Sequence, residues 1–568
     1  MLNRFCAPSR RLGFSVAVLA LLSLTTSAQQ PEQGMKPVAR APKAMVSASH
    51  PAVTKVALDV LRKGGNAVDA ALTAMLYQHI VEPQMSTPAG GFGLLVYDAK
   101  TAKCYYLDAE LDHTHGAPVG RTLAGPSTVP PTSGLRIGVP GLIPGVKAAA
   151  DRFGTLKWAD YFGPAIQVAE DGFAMYSFLY AEMSDAALNR LGVHPSGRRT
   201  FFKPDGFIPR VGETWKRPEA AATLRRLAAE GPDYFIRGEW ARHFVEGVRG
   251  IGGLVTLEEM AAYKPQWREP LVSTYKGDTI VGSPPPATGG ALISMTLNVL
   301  EHLDLKAQGH YTESARALAL IRRVIGSVEQ DVEQYVADPA SYSVPIDVLL
   351  SKEHARAKAA LIERSWPTVD LAAAGRPSGG SSPDRDYDPN YTDTNHLTIA
   401  DEKGNWVSLT HTVYGTTFGT GLVVDGIILN SGNAFPGVNT GEGRRVVAPL
   451  PPTFVMRDGR VWLALGSPGL SNRAVTETLI NFLGYGMSLE ASVDAPRFDG
   501  FGPDRPFMVE TRVPDKVRDG LKSFGITVAA QPPYNWHFGS IHAVMRDPKT
   551  GELTGVADAR RGGFADGF

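Results

Sequence analysis

A threonine hydroxyl is a weak nucleophile at neutral pH. One way to arm it is to make its residue N-terminal, so that its own α-amine, with an unperturbed pKa near ~8, accepts the proton. That chemistry needs a peptide bond that breaks ahead of the threonine, and therefore a loop feeding a rigid strand. The stretch "DYDPNYTDTNHLTIAD", Asp386 to Asp401, has this layout. Asp393–Thr394 is the candidate autocleavage bond, with Thr394 the candidate catalytic nucleophile at the head of a new strand. A second hydroxyl, Thr412, lies on the next alternating run, "NWVSLTHTVY".

The elements around this point follow from pattern. "GRPSGGSSPDRD" just upstream is rich in Gly, Ser, Pro and Asp and has no apolar periodicity, which reads as loop. After it, "HLTIAD", "NWVSLTHTVY", "LVVDGIILN", "PTFVMRD" and "VWLALG" are short apolar or alternating runs parted by "EKGN" and "RDGR" turns, the pattern of a meander of strands. "NRAVTETLINFLGYG" returns to helical spacing. Near the start, "HPAVTKVALDVLRKGGNAVDAALTAMLYQHI" predicts two helices, the first stopped by Gly64–Gly65 and the second capped by Asn66. "TPAGGFG" predicts a turn before an apolar strand, and the region from about Val146 to Arg323 is mostly helical in pattern.

The 568 residues are 43% hydrophobic and 20% charged, with 57 basic and 57 acidic side chains. That is a globular composition with no net charge to favour nucleic acid. Arg4, Arg10 and Arg11 precede "LGFSVAVLALLSL" and a small-residue site ending at Ala28. This predicts a signal peptide over 1–28 and a periplasmic or secreted protein without a membrane span after its removal. Only Cys104 of the two cysteines lies beyond that segment, in the strand-like "KCYYLD", so it is expected to be a buried, inert thiol. "DAELDHTH" offers Asp108, Glu110, Asp112, His113 and His115, but alternation on a strand would split the histidines from the acids, and a polar loop is the better reading. No metal or other cofactor is expected. No GxSxG elbow and no phosphate-binding glycine loop occurs.

Thr394-Asn395-His396-Leu397, "DEKGNWVSLTHT", "TTFGTG", "GSPG" at Gly466–Gly469, "APRF" at Ala495–Phe498, "GGNAVDAA" at Gly64–Ala71, "SPPPATGG" at Ser283–Gly290 and "EDGF" at Glu170–Phe173 form an ordered set. Through them the chain resembles the γ-glutamyltransferase (γ-glutamyl transpeptidase) family of N-terminal-nucleophile hydrolases. The resemblance implies an α+β, four-layer αββα sandwich and a self-cleaved proenzyme. Its large subunit would be 29–393 and its small subunit 394–568, intertwined as a heterodimer. It further implies that Thr412 hydrogen-bonds the nucleophile, that backbone N–H groups at Gly469 and Leu470 form the oxyanion hole, and that Tyr414, Asn433 and Ser471 occupy substrate-binding positions. The partners would be an amide substrate, small or peptidic, and water or an amine acceptor, with no cofactor.

The substrate shell departs from the family pattern. No arginine stands in "LDAELDHTHGAP" to pair a carboxylate, "VVAPLPPT" carries Ala448 and Pro449 where a pair of serines is expected, and "NSGNAF" replaces a longer polar motif. Arg136, Arg444, Arg445 and Arg473 are candidates for a relocated carboxylate anchor. Three functions follow: cleavage of γ-glutamyl-type amides such as glutathione, the same chemistry on a different acyl group by an amidohydrolase or acylase, and a catalytically inert binding protein.

Overall fold

Asn66 starts the helix Ala67–Val81 through a capping box: its side chain accepts from the N–H groups of Val68 and Asp69, while the Asp69 carboxylate accepts from its own N–H. The preceding helix, Pro51–Arg62, ends before Gly64, whose φ of 93° lies where glycine is favoured. Both helices fall where the sequence pattern puts them. Apart from Tyr77, every residue of Ala67–Val81 is buried, which identifies a helix enclosed on all sides.

The structure is a computed structural model that describes residues 36–116, 129–365, 393–434, 442–500 and 506–568. The signal peptide predicted over 1–28 and most of the loop predicted before Thr394 lie outside the described residues.

Two seven-stranded antiparallel sheets form the centre. The first runs in the order Phe564–Gly567, Met45–Ala48, Asn395–Ala400, Trp406–Thr412, Gly91–Asp98, Lys103–Ala109 and Gln266–Arg268. The second runs Val38–Ala41, Leu553–Ala557, His542–Arg546, Arg460–Gly466, Thr453–Arg457, Asp278–Gly282 and Leu271–Tyr275. Three apolar layers separate four structural ones. Leu397, Ile399, Val407 and Leu409 on the outer face of the first sheet join residues of helices such as Ala67–Val81 and Leu142–Phe153. Val455, Leu463 and Leu465 on the outer face of the second sheet join those of Gly289–Leu300 and Ala315–Tyr335. Leu95, Tyr106, Trp406, Phe454, Ala464 and Val544 fill the space between the sheets. The molecule is a four-layer αββα sandwich.

Three expectations need correction. The strands after Thr394 do not form one meander: the hairpin 395–412 belongs to the first sheet and the hairpin 453–466 to the second. Turn signals between strands fix hairpins but carry nothing about which sheet a hairpin joins. The region read as mostly helical contains the edge strands Gln266–Arg268 and Leu271–Tyr275 and, next to the latter, the strand Asp278–Gly282. The segment 29–43, rich in Pro, Gln and Lys and read as preceding any regular pattern, includes the edge strand Val38–Ala41, whose exposed Arg40 suits an edge. Cys104 lies in the strand Lys103–Ala109 against Met456, and burial pushes its thiol up to about 12, so it is inert. No helix among the described residues is long and apolar enough to cross a membrane.

Candidate active site

Strand alternation divides Trp406–Thr412 cleanly. Val407 and Leu409 face the helices, whereas Ser408, Thr410 and Thr412 turn toward the second sheet. The neighbouring strand matches this: Leu397 and Ile399 point outward, and His396 and Thr398 point inward. His396 sits between Thr410 Oγ1 at 2.8 Å and Thr398 Oγ1 at 3.0 Å, above Gly466 of the second sheet. A β-carbon at Gly466 would come within 2.1 Å of the ring, so the glycine makes room for it. Burial first, then the neighbouring His542 and His411, holds His396 well below the usual histidine range, so it is a neutral spacer between the sheets.

At the open end of these strands, Thr394, Thr412 and Asp393 meet. Thr394 Oγ1 donates to Thr412 Oγ1 at 3.1 Å, and Thr412 Oγ1 donates to Asp393 Oδ2 at 2.9 Å. The Tyr414 N–H donates to the same Thr412 oxygen at 2.9 Å. A hydroxyl has one proton and two lone pairs, so Thr412 is saturated, and the direction of the chain from Thr394 to Asp393 is set. The nucleophile candidate is held further by its N–H, which donates to Met85 O at 3.0 Å, and by Arg561 Nη1, which donates to its carbonyl at 3.2 Å. Thr394 has φ 120°. For a β-branched residue that conformation costs about 1–3 kcal/mol, and it lies at the bond predicted to break.

The electrostatics are those of a closed, partly cationic corner. Burial pushes the Asp393 carboxyl up to about 7, against the opposing pull of Thr412 and Arg561. Burial also brings Arg561 down to about 10, while Glu182, Glu82 and Asp393 hold it charged. Glu82 accepts from Ser49 at 2.7 Å and from Gln78, and Gln78 accepts from His411, which meets His79 at 3.1 Å. Asn395, next to the nucleophile, donates to Ser86 Oγ at 3.0 Å. Thus both faces of the strand end in polar networks, the inner one of hydroxyls and the outer one of imidazole, amide and acid.

Gly469 and Leu470 enter from the second sheet, after the strand Arg460–Gly466 and at the start of the helix Ser471–Leu479. Gly469 has φ 74°, and a β-carbon there would lie 2.6 Å from Arg561 Nη2. Arg561 therefore touches both the Thr394 carbonyl and the Gly469 turn, which brings the two predicted halves of the site together. Leu470 adopts φ −68° and ψ 59°, so its side chain imposes no left-handed strain on this turn. Ser471 opens the helix and donates to Pro449 O at 2.8 Å.

The predicted substrate positions separate. Tyr414, with φ 64°, lies against Leu111, Val446, Ala448 and Leu450 beside Thr412. Asn433 is committed to the protein: its amide donates to Thr114 Oγ1 at 3.0 Å and to the carbonyls of Leu135 and Ile137, and its oxygen meets His113 Nδ1 at 3.2 Å. The four candidate arginines are also elsewhere engaged or exposed. Arg445 pairs with Asp108 and Asp112 at 3.5 and 3.3 Å, Arg473 with Glu329 and Asp499, and Arg136 donates to Val129 O, while Arg444 is exposed. No group of three His, Cys, Asp or Glu stands in a metal-holding arrangement among the described residues.

Sequence reading missed Arg561, Met85 and the Glu82 network. It also took "TPAGGFG" for a turn alone. A β-carbon at Gly90 would lie 2.1 Å from Thr412 O, so the first glycine of that pair lets the backbone pass the Thr412 strand at close range. Its signal was present in the doubled glycine. Arg561, in "DARRGG", has no local signal, because only the sheet topology carries the C-terminal turn to Thr394.

A four-layer αββα sandwich with a hydroxyl residue at the head of a central strand, facing the space between the sheets, defines the class of N-terminal-nucleophile hydrolase folds. Within it, the family described as gamma-glutamyltranspeptidase matches residues 53–568, and the chain belongs to that family of hydrolases and transferases. It is 30% identical over 557 residues to a glutathione hydrolase proenzyme of Escherichia coli (strain K12), covering 92% of this chain and 91% of that protein. It is equally 30% identical over 545 residues to the acylase ACY 1 proenzyme of Pseudomonas sp. (strain SE83), covering 92% and 93%. The solved structure of a cephalosporin acylase from Bacillus halodurans superposes with a TM-score of 0.80 at 24% identity, over 100% of this chain and 98% of that one, a likeness of fold.

Proposed function

We propose that the chain is an exported proenzyme that cuts itself between Asp393 and Thr394 and then uses Thr394 to hydrolyse or transfer γ-glutamyl-type amides. The hydrogen-bond chain from Thr394 through Thr412 to Asp393 carries this reading. In the precursor, Thr394 Oγ1 adds to the Asp393 carbonyl carbon as its proton passes toward Thr412 and the Asp393 side chain. The C–N bond breaks and the threonine nitrogen gains a proton, which frees the α-amine, and water then hydrolyses the resulting ester to release the Asp393 carboxylate and restore the Thr394 hydroxyl. In the processed enzyme, that amine accepts the Oγ1 proton during attack on a substrate amide and returns it to the leaving amine. The backbone N–H groups at Gly469 and Leu470 are assigned to the oxyanion. Water or an amine acceptor then clears the acyl ester. Removal of 1–28 on export leaves 29–393 and 394–568 as the two subunits.

A second reading, an acylase acting on a different acyl group, is favoured by one observation: none of Arg136, Arg445 and Arg473 is disposed to meet a substrate carboxylate, since each is committed to protein groups. The protein purified from a periplasmic extract tests both. Two bands on a denaturing gel, with the smaller beginning at Thr394, are expected, together with release of p-nitroaniline from γ-glutamyl-p-nitroanilide that glycylglycine accelerates. A single uncut band in active material overturns the mechanism. Cleavage without turnover of the γ-glutamyl substrate, accompanied by turnover of glutaryl or other acyl amides, selects the acylase.

A further inference from the structure

Two strands away from Thr412, on the same sheet, a carboxylic acid has no partner. The strand Gly91–Asp98 separates Trp406–Thr412 from Lys103–Ala109, with Gly91 opposite Thr412 and Phe92 opposite Ala109. Glu110 therefore falls on the far side of Gly91, its backbone roughly 10 Å from that of Thr412 by strand spacing. Phe92 and Ala109 belong to the outer core, and Tyr106 to the core between the sheets. Alternation sends Tyr106 and Asp108 to the inner face, the face that carries Thr410 and Thr412, and Glu110 follows the last strand residue with its Cα 2.9 Å from where a β-carbon at Gly91 would stand. On the intervening strand only Gly91 and Gly93, which carry no side chains, stand between Thr412 and Glu110.

Both Glu110 carboxyl oxygens are buried and have no hydrogen-bond partner among the described residues, and neither has the Tyr106 hydroxyl, which reaches over Gly93. Burial, then Glu110, raises the Tyr106 hydroxyl well above its ordinary range. The local cations are committed elsewhere. Arg268 pairs with Asp108 at 2.8 Å, and Arg445 lies between Asp108 and Asp112 while donating to the backbone oxygens of Glu110 and Lys264. An unmatched buried carboxyl is costly; burial holds Glu110 well above the usual carboxylate range, and its oxygens stand open to a donor from a bound molecule. Leu111, next to Glu110 in the chain, packs with Tyr414, Val446, Ala448 and Leu450 in one buried apolar cluster that reaches the strand end beside Thr412.

We propose that Glu110 is a specificity-determining residue that receives an ammonium group carried by the acyl half of the substrate. The assignment rests on Thr394 being the acylated nucleophile, and it makes the cation of that acyl group, ahead of any carboxylate, the feature the site reads. The test compares three p-nitroanilides on purified, processed protein: γ-glutamyl (ammonium and carboxylate), 4-aminobutyryl (ammonium alone) and glutaryl (carboxylate alone). It also measures calorimetric binding of free 4-aminobutyrate and glutarate. Preference for the two ammonium-bearing acyl groups by at least about tenfold in kcat/KM, and tighter binding of 4-aminobutyrate than of glutarate, are expected. Glu110→Gln, close to isosteric, should lower kcat/KM for the two ammonium-bearing substrates by at least about tenfold more than for the glutaryl one, abolishing that preference. Equal effects of Glu110→Gln on all three substrates, or a wild-type preference for glutaryl and glutarate, overturn the proposal. A protein that remains a single uncut band overturns instead the reading of Thr394, and 4-aminobutyrate binding then still decides the role of Glu110.

Discussion

The corner around Thr394 and the flank around Glu110 lie on one face of one sheet, two strands apart, yet they are built oppositely. In the corner the threonine hydroxyls are answered: Thr412 fills its single donor and both acceptors with Asp393, Thr394 and the Tyr414 N–H. On the flank, the Glu110 carboxyl and the Tyr106 hydroxyl are buried with nothing to bond among the described residues. Reaction machinery must be oriented before the substrate arrives, because reorganisation during bond-making raises the barrier. A specificity group can instead wait unsatisfied, because a correct substrate supplies the missing partner and a wrong one leaves the penalty in place. On the proposed function, the two regions thus divide chemistry from choice.

The largest expected effect falls on the corner. Thr394→Ala removes the attacking oxygen for both reactions, so the chain should remain a single band and amide turnover should drop to background, as gel and p-nitroaniline release will show. Thr394→Ser keeps the oxygen and should retain cleavage. If Thr394→Ala were cut and active, the corner would be no better ordered for chemistry than the flank. Gly469→Ala comes next. Alanine at φ 74° is strained, and its methyl would meet Arg561 Nη2. The turn carrying the proposed oxyanion donors should shift, lowering kcat by about 10²-fold with KM little changed. A change confined to KM would move this turn from the chemical side of the comparison to the binding side.

Thr412→Val should act less strongly. It leaves Asp393, Thr394 and the Tyr414 N–H each one partner short at a cost of about 1–3 kcal/mol, so self-cleavage timed on purified precursor should slow by about 10- to 100-fold. Thr412→Ser should restore most of the rate, because the hydroxyl and not the methyl does the bonding. Equal slowing by both variants would mean that packing, and not the directed hydrogen bond, orders the corner.

How much of this was legible in the sequence follows the same divide. The strands that carry Thr394 and Thr412 were visible because loop and strand signals are local in sequence, and the helices around Gly64–Asn66 because caps and periodicity are local too; the hydrogen bond between the two threonines came through the family resemblance. The αββα layering came through the family resemblance; alternation alone could not assign the hairpins 395–412 and 453–466 to different sheets, since that assignment rests on pairings with residues far along the chain such as Met45–Ala48 and His542–Arg546. Arg561 was invisible for the same reason. The carboxylate anchor was sought among arginines by residue type, whereas burial and pairing, which only the structure provides, show Arg445 and Arg473 already spent and Glu110 unspent. Asn433, offered as a substrate contact, holds the 113–114 and 135–137 segments together.

The smallest effect concerns Asp393, which belongs to the corner as side chain and to the cut as backbone. Its carboxyl is pushed up to about 7 by burial. Below the ordinary carboxylate range it is protonated whether the precursor is folded or not, and the folded state carries no buried charge there. As pH rises toward about 7, the unfolded chain ionises while the folded one holds its proton, so precursor stability falls across this window and levels off above it. Measured on the uncut Thr394→Ala precursor, adding Asp393→Asn should flatten this part of the stability profile, with a shift in melting temperature of a few degrees at neutral pH. In the cleavable chain, self-cleavage should instead quicken from pH 6 to 8, because only the ionised carboxylate can end the proton path that begins at Thr394. Asp393→Asn should remove that rise and slow cleavage by about tenfold, the scale of a single general base. A precursor whose cleavage rate ignores both pH and this substitution would leave Thr412 as the terminus of the path, and the corner would then share with the flank an acid that takes no part in bond-breaking.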